Sequence, residues 1–170
     1  MALLEIVKYP AEGLKKPSSP VEKIDDSIRK LVSDMIETMY DAPGVGLAAP
    51  QVGVNKRVIV ADASDDDGEK SGPLIIINPE IVSKEGDTVF EEGCLSVPDF
   101  TAEVDRAERV RVRGEDGEGN PVDIETGGLL AIVLQHEIDH LDGILFVDRI
   151  GSVKRDIFKR KFKKASRQAG

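Results

Sequence analysis

The sequence predicts an α+β fold: antiparallel or mixed β-sheets around a central helix, with an N-terminal amphipathic helix and a C-terminal helix. Three observations carry this. Apolar residues recur at helical spacing from Asp25 to Tyr40; strand-like segments follow one another from Arg57 to Arg113; and the apolar run after Gly127-Gly128 returns to helical character. Strands grouped together, rather than alternating with helices, point away from a parallel βαβ succession.

Each element has a local reason. Ile28, Leu31, Val32, Met35, Ile36 and Met39 form one apolar face, Asp25 or Asp26 can cap it, and Pro43-Gly44 ends it. A short strand is expected at Arg57 to Ala61. An acidic loop from Asp62 to Gly72 follows, then a β-rich run, Leu74 to Ile77, stopping before Asn78-Pro79. Thr88-Val89-Phe90 leads into Glu91 to Pro98, and Val110 to Arg113 alternates before a turn around Gly114 to Asn120. Gly127-Gly128 opens the second helix and Gly143 can end it. Ile144 to Val147 reads as a brief extended piece, and residues from about 152 to 166 as a final helix capped by Ser152.

The 170 residues suit a single domain, 1–170, with a basic C-terminal helix. Hydrophobic residues make up 40% and charged residues 32%, and no apolar stretch approaches the ~20 residues of a membrane span. Met1-Ala2-Leu3-Leu4-Glu5 lacks the basic and apolar regions of a signal peptide, so a cytoplasmic protein without membrane contact is expected. The net charge of −9 is unevenly spread. Residues 149–170 hold nine basic side chains against Asp156 alone, or +8, leaving −17 on the first 148. An acidic body argues against DNA, while the basic tail could touch RNA or an acidic surface, or be merely a solvated helix end.

His136-Glu137-Ile138-Asp139-His140 holds both histidines of the chain within an apolar stretch that includes Leu129, Leu130, Ile132, Val133 and Leu141. On a helix, residues four apart share a face, so both imidazoles can converge on one metal ion. Glu137 then stands beside the ion, free to take a proton from water. Two histidines leave a catalytic metal one protein ligand short. Cys94, the sole cysteine, is a candidate for it; a Cys-His nucleophile and a buried inert thiol are the alternatives. Gly44-Val45-Gly46-Leu47-Ala48-Ala49 matches a dinucleotide fingerprint only on paper, because a helix precedes it and Pro50-Gln51 follows. It reads instead as a loop letting backbone approach a ligand, with Gln51 supplying an amide.

Taken together, Gly44 to Gln51, Glu92 to Ser96 and Gln135 to Gly143 resemble the three signature motifs of the bacterial peptide deformylase family, in order and in spacing. The resemblance extends from about Leu3 into the final helix. It implies that Cys94, His136 and His140 ligate one divalent metal, Fe(II) natively, with Zn or Ni able to substitute. It implies Glu137 as general base and then acid, Gln51 and the Leu95 backbone N–H as donors to the oxyanion, and Gly46 near the substrate main chain. Val45, Leu129 and Val133 align with a methionine-accepting pocket, although each also reads as core. The implied reaction removes the formyl group from the N-terminal formylmethionine of a nascent polypeptide, releasing formate.

Some residues are left without an assigned role. Glu92 and Asp139 could accept from the imidazole N–H groups, or either could be simply a surface acid or a salt-bridge partner. Thr101 stands where many family members carry arginine, which bears on recognition beyond methionine. The basic helix is similar to one that docks on the ribosome in some members. A generic HExxH peptidase and a metal-stabilised RNA-binding module are the rival readings; the first usually takes a ligand downstream, where only Asp142, Asp148 and Asp156 are available.

Overall fold

The computed structural model describes residues 2–169, with side chains described through residue 164. Its helices are α1 (Asp26–Asp41), α2 (Gly128–Leu141) and α3 (Ser152–Ala169). Its strands are β1 (Gly46–Ala48), β2 (Val58–Ala61), β3 (Leu74–Glu85), β4 (Thr88–Cys94), β5 (Val97–Arg106), β6 (Arg109–Glu115) and β7 (Pro121–Thr126). Among the described residues these strands all pair antiparallel. One sheet runs β1-β2-β3-β6-β7, and β4-β5 forms a separate hairpin.

The five-stranded sheet lies between two helices, and β2 shows why. Val58 and Val60 join the core under α1 with Ile28, Val32, Met35 and Met39. Ile59 and Ala61 point the other way, into the core under α2 with Ala131, Leu134 and Ile138. A strand covered on both faces needs apolar residues at every position, not at alternate ones. The Asp25 carboxylate accepts from the Ile28 N–H at 3.2 Å and caps α1, a contact typically worth about 1 kcal/mol. A third core lies beneath the hairpin, where Phe158 of α3 meets Val97, Val104 and Phe146.

Several elements differ from expectation. Gly46–Ala48 is a strand on the sheet edge rather than a loop, its small residues packing closely beside α2. Strand β3 continues through Asn78-Pro79 by means of a bulge between Ile77 and Glu80. There Asn78 adopts φ 54°, and its side chain accepts from the Val21 N–H and donates to the Val21 carbonyl. Strand β7 was not anticipated; its apolar signal is only Val122 and Ile124, alternating along an edge. Phe146–Asp148 forms a 3-10 turn instead of an extended piece, with Asp148 accepting from the Leu145 N–H. Ser152 is the first helical residue and not the cap, since the Gly151 carbonyl already accepts from Arg155 N–H. Gly143 ends α2 as expected, at φ 75°.

Among the described residues, no helix is long and apolar enough to cross a membrane. In α3 the basic residues Lys154, Lys159, Arg160, Lys161, Lys163 and Lys164 are exposed. The Arg167 side chain, counted in the basic tail, lies outside the described residues.

Candidate active site

Helix α2 is buried from Leu130 to Leu141, between the sheet and the hairpin. Its face carrying Leu129, Val133, His136 and His140 meets the end of β4. The two Nε2 atoms of His136 and His140 stand 3.2 Å apart, and Cys94 Sγ lies 3.4 Å from His140 Nε2. In tetrahedral coordination, with nitrogen at about 2.0–2.1 Å and thiolate at about 2.3 Å, ligand atoms stand about 3.3–3.6 Å apart. The three donors therefore fit one metal ion in spacing as well as in chemistry.

The surrounding charge favours a cation. Burial by itself would lower the His136 pKa, but the Glu137 charge and the hydrogen bonds to Cys94 and Glu92 outweigh it and hold the ring well above its ordinary value. Burial, then the charges of His136 and Arg106, push His140 well below, which favours the neutral imidazole a metal needs. Burial pushes the Glu137 carboxyl up to about 7. Its Oε1 has no hydrogen-bond partner among the described residues, although it is buried. An orphaned carboxylate oxygen beside three ligand atoms is suited to holding a proton or a water.

The neighbouring side chains orient this group. Glu92 Oε1 lies 2.8 Å from His136 Nδ1, so a proton on Nδ1 leaves Nε2 free to ligate. Burial opposes the charge on Glu92, yet Arg106, helped by His136, holds its carboxyl at about 2. Among the described residues Asp139 has no hydrogen bond to either imidazole. It accepts from Arg106 Nη1 at 2.7 Å and from Arg149 Nη2 at 2.7 Å, so it is an ion-pair partner. Gln51 is held by its carbonyl oxygen, which accepts from the Ala48 N–H at 3.0 Å. Its amide nitrogen therefore faces Ser96 Oγ at 3.2 Å and Cys94 Sγ at 3.5 Å.

A cavity of about 450 Å³ opens in front of these groups. Val45, Gly46, Gln51, Cys94, Leu95, Leu129, Val133, His136 and Glu137 line it, and His140 sits behind, fully buried. The residues expected to hold the metal, move the proton, face the oxyanion and line the pocket are thus brought together here, whereas Thr101 and Asp139 are not part of the lining. Gly46 is required by close approach: a Cβ at that position would lie 2.6 Å from Glu137 Oε2 and 2.7 Å from Val133 Cγ1. Phe90 and Ile132 also line the cavity and were missed, as were Arg106 and Arg149. Ile132 could have been found from its spacing, one turn before His136. Phe90 shares the inward face of β4 with Glu92, a signal visible only once that strand is placed. Nothing local marks Arg106 as buried.

Thr101 donates to Glu91 at 3.0 Å on the exposed side of the hairpin, where its methyl would lie 3.3 Å from a Cβ on Gly93. It is close to the cavity rim and outside the lining.

The polypeptide deformylase family model matches residues 3–156. A peptide deformylase from Thermodesulfovibrio yellowstonii is 55% identical over 163 residues, covering 96% of this chain and 98% of that protein. The crystal structure of peptide deformylase from Ehrlichia chaffeensis in complex with actinonin is 45% identical, with a TM-score of 0.91 over 98% of this chain and 99% of that one. A class I type b peptide deformylase from Acinetobacter baumannii with Met-Ala-Ser bound is 38% identical, with a TM-score of 0.82 over 87% and 98%. Agreement over nearly the whole length, with the three motifs gathered at one cavity, makes the assignment plain: this chain belongs to the polypeptide deformylase family.

Proposed function

We propose that this chain hydrolyses the formyl amide at the N-terminal formylmethionine of nascent polypeptides, releasing formate and a free amine. The observation that carries the reading is the convergence of Cys94, His136 and His140 beside the unpaired, buried Glu137 Oε1. We assign the metal to Cys94, His136 and His140. A divalent ion there would act as a Lewis acid on the formyl oxygen and would lower the pKa of water. Thiolate and imidazole suit Fe(II), Zn and Ni; Fe(II) is our reading of the native ion, with the other two able to substitute.

Glu137 Oε1 takes a proton from the attacking water. The oxygen adds to the formyl carbon, and the carbonyl oxygen gains the negative charge. Gln51, its amide fixed by Ala48, donates to that oxygen together with the Leu95 N–H. Glu137 then passes its proton to the amide nitrogen, the C–N bond breaks, and formate leaves. Gly46 permits this by leaving room for the Glu137 carboxylate.

The remaining cavity suits the rest of the substrate. Val45, Leu129 and Val133, with Phe90 and Ile132, give it an apolar body for an unbranched side chain such as methionine. Strand β1 is the edge of its sheet, so its open side offers backbone groups to an extended peptide. Met-Ala-Ser bound in the Acinetobacter baumannii relative supports this substrate class. We read residues 1–170 as one catalytic domain acting in the cytoplasm, with the basic face of α3 available for contact with the ribosome.

The test is formate release from formyl-Met-Ala-Ser against its acetyl analogue, on protein purified without oxygen and with its metal content measured. Selective turnover of the formyl peptide is expected. No formate from metal-loaded protein would overturn the proposal.

A further inference from the structure

We propose that Phe90 sets the length of the side chain this site accepts, by separating the catalytic cavity from a second cavity that continues it along α2. The inference rests on the proposed hydrolysis and concerns which first residue is read. Two cavities adjoin: the catalytic one of about 450 Å³ and one of about 430 Å³ bounded by Asp66, Thr88, Glu108 and Arg109. They share three lining residues, Phe90, Leu129 and Ile132.

Their geometry makes Phe90 the movable part of the wall. Leu129, Ile132, Val133 and His136 follow one face of α2 over seven residues, about 10 Å of helix rise. Strand β4 runs beside it. Phe90 and Glu92 point to the same face of the strand, about 7 Å apart. Glu92 bonds His136 at the catalytic end, and Phe90 stands further on, beside Ile132 and Leu129. Leu129 and Ile132 are held in the helix. Phe90 lies on the hairpin and is 40% exposed, so nothing in the core depends on its ring.

A four-atom side chain such as methionine ends at this wall. A longer unbranched one must displace the ring. With the ring removed, one continuous channel leads from Glu137 to the Arg109–Asp66 pair, which closes its far end.

The test measures kcat/KM for three peptides: formyl-norvalyl-Ala-Ser, formyl-Met-Ala-Ser and formyl-2-aminooctanoyl-Ala-Ser. One methylene in a fitted apolar pocket is worth about 10–200-fold. Phe90→Ala should raise the ratio of the aminooctanoyl to the methionyl peptide by about tenfold or more over the parent protein. Phe90→Trp should move preference the other way, from methionine towards norvaline. Phe90→Leu gives the direction of the alanine change at smaller size, and serves if the alanine variant does not fold. Ratios within twofold of the parent in the folded variants overturn the proposal. Failure of the parent protein on all three peptides instead removes the hydrolytic reading, so the two outcomes are distinct.

Discussion

The Arg106 guanidinium grips the Glu92 carboxylate at two points, Nε to Oε2 at 2.6 Å and Nη2 to Oε1 at 2.8 Å. Both side chains are almost wholly buried. The same guanidinium donates to Asp139, Asp139 accepts from Arg149, and Glu92 accepts from His136. A continuous chain of ion pairs therefore links His136, one of the three groups able to hold a metal, to the partly exposed Arg149, just ahead of α3. Such an arrangement fixes ring orientation more than it adds stability, because burying charge is costly unless every partner is present.

Removing Arg106 tests that balance. Arg106→Met leaves Glu92 buried with His136 alone and takes one partner from Asp139. Loss of a buried partner costs about 3–5 kcal/mol, to be read from urea unfolding. Arg106→Lys keeps the charge without the fork and should fall between the two, with weaker metal retention against a chelator. Unchanged unfolding and metal retention in the methionine variant would show that the network is dispensable.

Glu137 carries the proton in our reading. Glu137→Gln should keep its metal and lose about 100-fold or more in kcat. The base works ionised, so kcat/KM falls as pH drops through its pKa. Burial pushes that value up to about 7, and a bound cation favours the ionised form, so the acid limb should have its midpoint below 7. The glutamine variant should lack this limb. A midpoint above 7, or a limb surviving in the variant, assigns the proton to another group.

Cys94 carries the only thiol of the chain. Cys94→Ser replaces a soft thiolate with a hydroxyl that stays protonated, so metal content and activity should fall together. Full metal occupancy in purified Cys94→Ser would remove it from the ligand set.

Much of the candidate site was legible in the chain because the groups able to hold a metal sit in short segments. His136 and His140 are fixed by helical spacing alone, and Cys94 is the only cysteine. The amphipathic face of α1 likewise declared itself through its period. What was hidden depends on long-range pairing. Strand β1 becomes a strand only because β2 lies beside it, and β7 carries too few apolar residues to show. Arg106 lies 14 residues from Glu92 and 33 from Asp139, so no local pattern marks it as buried. Phe90 joined the pocket through the register of β4, which sequence alone leaves free to slip.

Gly46 offers the sharpest separation of activity from stability. In Gly46→Ala the new methyl meets two side chains, Glu137 through Oε2 and Cγ and Val133 through Cγ1. The carboxylate is the far end of a flexible chain and can swing away cheaply, whereas the β-branched valine is stiff and overpacking against it costs about 1–3 kcal/mol. Stability loss should therefore come from Val133 and activity loss from Glu137. Adding Val133→Ala relieves the first contact and leaves the second, so the double variant should regain unfolding free energy relative to Gly46→Ala while kcat stays at least about tenfold below the parent. The Val133→Ala single variant controls for its effect on the apolar pocket, which should fall mainly on KM. Recovery of kcat in the double variant would mean that Val133, and not the displaced carboxylate, makes glycine necessary at position 46.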